Sequence, residues 1–174
     1  MIPNTETGML TTPDDRARLL LGTLREVNVT SKVGTPCGIL AQIWESSSDE
    51  PDSPLITLSR EDTALAYAAG QSLAGGLPVV LMQNSGFGNC VNIMASLICP
   101  YDLPVILIVS LRGTANDTTP ENTAMGSITA SLFKAWNIPV KILTHSSDRL
   151  LVQDIAVRGP TAILISPEYF GWCP

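Results

Sequence analysis

A polar run, Gln83-Asn84-Ser85, stands between an apolar stretch ending at Met82 and the glycine pair Gly86 and Gly88. Two amides and a hydroxyl in a row can donate and accept hydrogen bonds around a polar ligand. A structural turn needs glycines but not three consecutive polar side chains, which favours a ligand cradle. Glu61, in LSREDTALAYAAG, sits where a strand-like stretch meets a helical one. A first-turn glutamate can simply offset the helix dipole, but Asp62 already supplies that charge and leaves Glu61 free for site chemistry. Thr35-Pro36 and Arg112 follow two further apolar stretches. An arginine there either meets an anion through two parallel N–H bonds or anchors its own loop to nearby carbonyls.

Several other chemistries are excluded. In the pattern G-x-G-x-x-G the third glycine position is Val91, and the acidic residue expected about 20 residues further on is missing. No Gly-Lys-Ser/Thr occurs, so there is no P-loop. His145 is the only histidine and reads as a solvated loop residue, and no Ser-His or Cys-His pair can be built without it. Cys37, Cys90, Cys99 and Cys173 show neither CxxC nor CxH spacing, which argues against a zinc site or a disulfide framework. Cys90 and Cys99 read as small core residues, and no metal ligand set is expected in this chain.

The elements that must position these residues alternate. A helix is expected from Asp14-Asp15, which can cap it, to about Glu26, then a strand near Val33 and a helical segment from Ile39 to Trp44. Beyond an acidic surface loop at 46–54 come strand Leu55–Leu58, helix Glu61–Ala74, strand Val79–Met82, helix Asn89–Ile98 and strand Val105–Val109. A polar loop follows, long enough for a lid over the site, then helix Ser127–Trp136, strand Val140–Leu143, helix Asp148–Val157 and strand Ala162–Ile165. Continuous apolar strands alternating with helices predict an α/β fold: one doubly wound parallel sheet of about six strands, helices on both faces. Residues 1–174 read as a single domain with a polar arm at 1–14. Ligands bind such sheets beyond the carboxyl ends of the strands, where Thr35, Glu61, Gln83 and Arg112 all fall. Ala64, Ala68, Ser72 and Gly75 give the helix after Glu61 a face almost without side chains, suited to close approach by a backbone or a flat ligand.

Composition bounds the partners. Charged residues are only 15% and hydrophobic ones 45% of 174 residues, and the mean hydropathy is +0.24. Ordinary soluble chains carry roughly 25% charge. No apolar run approaches the ~18 residues needed to span a bilayer, so the excess predicts a core plus a large protein–protein interface. A net charge of −6 without a Lys/Arg cluster argues against nucleic acid and anionic membranes. The N-terminus lacks a signal-peptide pattern, and a cytoplasmic location is expected.

Taken together, E-x-x-A-x-x-x-A-A-G (Glu61 to Gly70) and PVVLMQNSGFGN (Pro78 to Asn89) resemble the pyrimidine-binding domain of thiamine-diphosphate-dependent 2-keto acid decarboxylases. Asn92 to Leu97, Arg112-Gly113, MGSIT (Met125 to Thr129) and Asn137-Ile138-Pro139 continue the likeness toward the branch acting on sulfopyruvate and phosphonopyruvate. The resemblance implies the thiamine-diphosphate pyrimidine-binding fold. It also implies that Glu61 shares a proton with the cofactor's aminopyrimidine, and that Thr35, Pro36, Gln83, Asn84, Ser85 and Gly86 line the cofactor. Asn84, Ser85 and Arg112 would face a small 2-keto acid bearing an anion on C3. Members of this family hold Mg²⁺ and the diphosphate with G-D-G…N in another domain. No Asp-Gly occurs here, so that half is expected on a β subunit, in an α2β2 or higher heteromer. An acyloin-forming carboligase subunit and a non-catalytic flavodoxin-like binding module are the alternatives. Phe87 and Cys90 depart from the aliphatic and small residues more usual in the family.

Overall fold

The computed structural model describes residues 12–47, 54–146 and 149–173. The strands are β1 (Ser31–Gly34), β2 (Leu55–Thr57), β3 (Pro78–Gln83), β4 (Ile106–Ser110), β5 (Val140–Leu143) and β6 (Thr161–Ile165). All pair in parallel in one sheet, in the order β2-β1-β3-β4-β6-β5. Side chains alternate across the pleat, so β3 and β4 feed two cores. Val79, Leu81, Ile106 and Ile108 pack under α1 (Pro13–Glu26) and α2 (Ala41–Ser47). Val80, Met82, Leu107 and Val109 pack under α3 (Glu61–Leu73), α4 (Asn84–Asn89) and α6 (Pro120–Ala135). Burial on both faces is why these strands read as unbroken apolar runs.

Local chemistry shifts several boundaries. The cap of α1 is Thr12 and not Asp14 or Asp15: its hydroxyl accepts from the Asp15 amide while the Asp15 carboxylate accepts from the Thr12 amide. Such a box needs the acid three residues inside the helix. Residues 1–11 of the polar arm and 48–53 of the acidic loop lie outside the described residues, and Ser46 and Ser47 end α2. The small stripe of α3 turns inward. Ala64 and Ala68 are fully buried and Ser72 nearly so, which lets the helix lie close to β1 and β3. The partner of that stripe is the chain's own sheet.

The glycine pair does not form a turn. Gln83 takes the N-cap position and α4 starts at Asn84, directly after β3. The helical run continues through α5 (Val91–Ile93) into a π-helical turn, Met94–Ile98. Phe87 is fully buried, its ring stacked on Phe133 at 4.4 Å and edge-on to Trp136 at 6.3 Å. Helix α6 begins seven residues before the expected Ser127, with Pro120 in its first turn, a position that suits proline because no helical N–H is lost there.

The helix expected over 148–157 does not form among its described residues. Its described part has a single 3-10 turn, Val152–Asp154, flanked by extended Leu151 and Ile155. The Thr161 hydroxyl accepts from the Ala156 amide and donates to the Ala156 carbonyl, tying the segment to the start of β6 instead of to itself. Leu150 and Ile155 still reach the core beneath α1, from extended backbone.

Candidate functional site

The register places Gly34 beside Leu81, and Gln83 beside Ser110. The carboxyl ends of β1, β3 and β4 therefore open onto one edge, joined by the start of α3.

Glu61 is the first residue of α3 and is half-buried. Its side chain lies directly against Gly86 in the first turn of α4. A Cβ built on Gly86 would overlap the Glu61 Cγ, Cδ and Oε1 atoms. The carboxylate makes no hydrogen bond among the described residues, so its acceptor capacity is unspent. Its neighbours are committed elsewhere: Arg60 donates twice to Asp62, at 3.0 and 2.6 Å, and Asp62 also accepts from the Thr63 amide. That clamp holds the Arg60 guanidinium and the Asp62 carboxylate to each other on either side of Glu61. The Asp62 carboxyl is correspondingly lowered, first by its hydrogen bond from Arg60.

Across the edge, the Thr35 amide donates to the Leu81 carbonyl, while its buried hydroxyl has no partner among the described residues. Pro36 is exposed, and Cys37 Sγ lies 3.1 Å from Ser110 Oγ. A cavity of about 410 Å³ opens beside them, lined by Pro36, Cys37, Gly38, Ala41, Trp44 and Glu45. On β3, the Gln83 amide donates to Ser85 Oγ at 2.5 Å, and both remain partly exposed.

Asn84 points the other way. Fully buried, it donates to the Arg112 carbonyl at 2.8 Å and to Thr129 Oγ1, and accepts from the Arg112 amide at 3.2 Å. The side chain that the sequence suggested for ligand contact thus fastens α4 to the loop after β4.

The loop 112–119 is fastened rather than free to act as a lid. Buried Asp117 accepts from Arg112 Nε at 2.6 Å, the Gly113 amide, Asn122 Nδ2, and the Thr119 amide and hydroxyl. Burial pushes its carboxyl up. The bonds from Arg112, Thr119 and the two amides outweigh that and hold it well below the usual carboxylate range. Gly113, at φ +75°, and Gly126 approach so closely that a Cβ on either would strike backbone of the other or of Asn122. Arg112 also lies over the Trp172 ring, 4.7 Å from its centre. Neither Asp117 nor Trp172 was singled out from sequence. The Asp-Thr-Thr run carries the signature of an Asx turn, whereas nothing local marks Trp172.

Helix α3 packs beside the α4–α5 run, and both lead back from the site edge toward the amino ends of the strands. From Thr63 to Tyr101 no residue is charged, and Ala66, Tyr67, Gly70, Leu73 and Ala95 are exposed there. No helix among the described residues is long and apolar enough to cross a membrane, and no cluster of His, Cys, Asp or Glu among them could hold a metal ion.

Residues 15–131 match the family model of the thiamine pyrophosphate enzyme N-terminal TPP-binding domain. Over 162 residues the chain is 32% identical to the sulfopyruvate decarboxylase subunit alpha of Methanothermobacter thermautotrophicus, covering 91% of this chain and 98% of that one. It is 31% identical over 144 residues to the phosphonopyruvate decarboxylase of Streptomyces viridochromogenes, covering 82% of this chain but 36% of that protein. Among solved structures, the inactive β4 tetramer of a split-gene transketolase superposes with a TM-score of 0.66 at 18% identity, over 92% of this chain and 52% of that one. At that identity the likeness is one of fold.

Proposed function

The chain belongs to the thiamine pyrophosphate enzymes through their N-terminal TPP-binding domain, and from that premise we propose that it is the pyrimidine-binding subunit of a heteromeric decarboxylase. Its substrate is a 2-keto acid with a sulfonate or phosphonate on C3, and its products are carbon dioxide and an aldehyde. Residues 1–174 act as one domain, in the cytoplasm.

The observation that carries this reading is the Glu61 carboxylate, seated on Gly86 with its hydrogen-bonding capacity unspent. A carboxylate so placed, on the same sheet edge as the buried Thr35 hydroxyl that has no partner among the described residues, fits an aminopyrimidine, a flat ring offering both donors and acceptors. When bound, thiamine diphosphate supplies the thiazolium that takes up the electron pair left by carbon dioxide. Glu61 holds a proton at the pyrimidine ring nitrogen N1′. Thr35 and Pro36 form one wall, and Gln83, Ser85 and Gly86 the other. Ser85 and Arg112 face the substrate, and Asn84 contributes by holding Arg112 in place.

Mg²⁺ and the diphosphate need oxygen ligands that this chain's sequence does not offer in the G-D-G…N pattern. We assign them to a β subunit in an α2β2 or higher assembly. The relative from Methanothermobacter thermautotrophicus is itself named a subunit alpha. The uncharged face of α3 and α5 gives such a partner a surface it can cover without desolvating charge.

The test is co-purification with the partner, followed by carbon dioxide release from a panel of 2-keto acids. Glu61→Gln should lower turnover about 10²–10⁴-fold with the partner still bound, and Asp62→Asn should be nearly silent. Equal effects of the two would refute the assignment. The isolated chain should show negligible thiamine diphosphate binding by calorimetry.

A further inference from the structure

We infer that Asp117 and Trp172 position the Arg112 guanidinium so that its two terminal nitrogens read the C3 anion of the substrate, making this trio the specificity device of the site. The inference rests on the decarboxylase reading and names the residues that would select its substrate.

A guanidinium has two edges that can grip an oxyanion, one formed by Nε with an Nη and one by the Nη pair. Asp117 occupies the first through Nε, at 2.6 Å. The terminal pair makes no hydrogen bond among the described residues. Trp172 covers one face of the guanidinium plane at 4.7 Å, which leaves the outer edge to meet a ligand. Arg112 is held partly buried, at 22% side-chain exposure, while Asp117 is at 0%. The charge is therefore neither buried away from ligands nor free to wander.

Each support is itself fixed. Asp117 takes its remaining bonds from Gly113, Thr119 and Asn122, so it cannot swing aside. The backbone of Arg112 is gripped on both sides by Asn84. Trp172 belongs to the segment after β6. Its carbonyl accepts from Asn116 Nδ2 at 3.0 Å, and its indole nitrogen lies 3.8 Å from where a Cβ on Gly38 would stand. The C-terminal segment thus crosses from the loop after β4 to the loop after β1, and its indole is the surface on which Arg112 rests.

The other cation flanking the site is a poorer reader. Arg60 spends two of its nitrogens on Asp62 and is 65% exposed. A tetrahedral oxyanion, sulfonate or phosphonate, matches the spacing of the paired terminal nitrogens of Arg112. A lysine at the same position would offer a single point charge.

The test uses the full chain in complex with its co-purified partner, with 3-sulfopropanoate, 3-phosphonopropanoate and butanoate as non-reacting probes. Calorimetry should show the wild-type complex preferring the two C3 anions. Arg112→Lys should weaken them about 10- to 100-fold and weaken butanoate far less. Trp172→Ala should weaken the same two about two- to tenfold, and Trp172→Phe, which keeps an aromatic face, should restore most of the preference. In turnover the same variants should raise KM for the C3-anionic keto acid with kcat little changed, and raise KM for pyruvate less. Equal losses on the C3-anionic probes and on butanoate, or no loss in Arg112→Lys, would overturn the inference whatever the decarboxylase assay gives. A complex that binds the anions through Arg112 but releases no carbon dioxide would sink the decarboxylase reading and leave the anion site standing.

Discussion

Replacing Gly86 by alanine should separate stability from activity. The residue lies inside the first turn of α4 and carries no positive φ, so the backbone accepts alanine without strain. Gly→Ala inside a helix gains up to about 1 kcal/mol. The new methyl would overlap the Glu61 Cγ, Cδ and Oε1 atoms, but these are the far end of a flexible side chain. Glu61 can swing into another rotamer at about 0.5–1.5 kcal/mol. The two effects nearly cancel, and the folding free energy should move by less than about 1 kcal/mol. On the role proposed for Glu61, activity has no such escape, because the displaced carboxylate would no longer meet the pyrimidine. A loss of about 10²–10⁴ in turnover is expected, or roughly 3–5 kcal/mol of barrier. The assay is carbon dioxide release by the complex, beside urea unfolding of the same preparations. Because Gly86→Ala and Glu61→Gln act through one carboxylate, the double variant should be no worse than the poorer single one. Wild-type turnover in Gly86→Ala, or losses that multiply, would refute the reasoning.

Asp117 gives a pH signature. Its folded pKa is depressed, so its stabilisation is fully present above the unfolded value of about 4 and is lost as the pH falls toward the folded one. The stability gap between wild type and Asp117→Asn, from urea melts, should narrow on acidification, and a constant gap would contradict the assignment. Cys90 is pushed up to about 12, first by burial and then by the charges of Glu61 and Asp62. Iodoacetamide near neutral pH should therefore label exposed Cys173 and spare Cys90, as peptide mass spectrometry would show. Asn84→Ala strips buried partners from the Arg112 backbone and should cost about 1–3 kcal/mol in denaturant unfolding. It should raise KM for the anionic substrate more than it lowers kcat. The reverse pattern would place Asn84 at the reacting centre.

The strands were readable because each central one is buried on both faces, and a continuous apolar run such as Val79–Met82 is the pattern that double burial imposes. The edge holding Thr35, Glu61, Gln83 and Arg112 followed from strand ends alone. Direction was harder to read. Asn84 and Ser85 are adjacent polar residues, yet the start of α4 sends one into the core and leaves the other at the surface. A sequence that looks like a turn does not show this. The same holds for the helix expected at 148–157, where Leu150 and Ile155 reach the core from extended backbone because Thr161 captures Ala156. Asp117 and Trp172 escaped notice because their roles depend on partners distant in sequence or on bonds that only the folded loop reveals.

The site edge divides into two parts with different supports. Glu61 is located by backbone, since α4 presents a glycine that leaves its carboxylate a seat and nothing else to bond. Arg112 is located by side chains, with Asp117 at one edge of its guanidinium and Trp172 beneath it. Asn84 joins the two, because it stands two residues before Gly86 in α4 and grips Arg112 on both sides of its peptide. On the proposed reading, a substitution on the guanidinium side should therefore change which anion is held without disturbing the carboxylate assigned to the proton. A substitution at Gly86 does the reverse. If the proposed roles hold, substrate range should respond to substitutions at Arg112, Asp117 and Trp172 while the proton chemistry assigned to Glu61 stays in place.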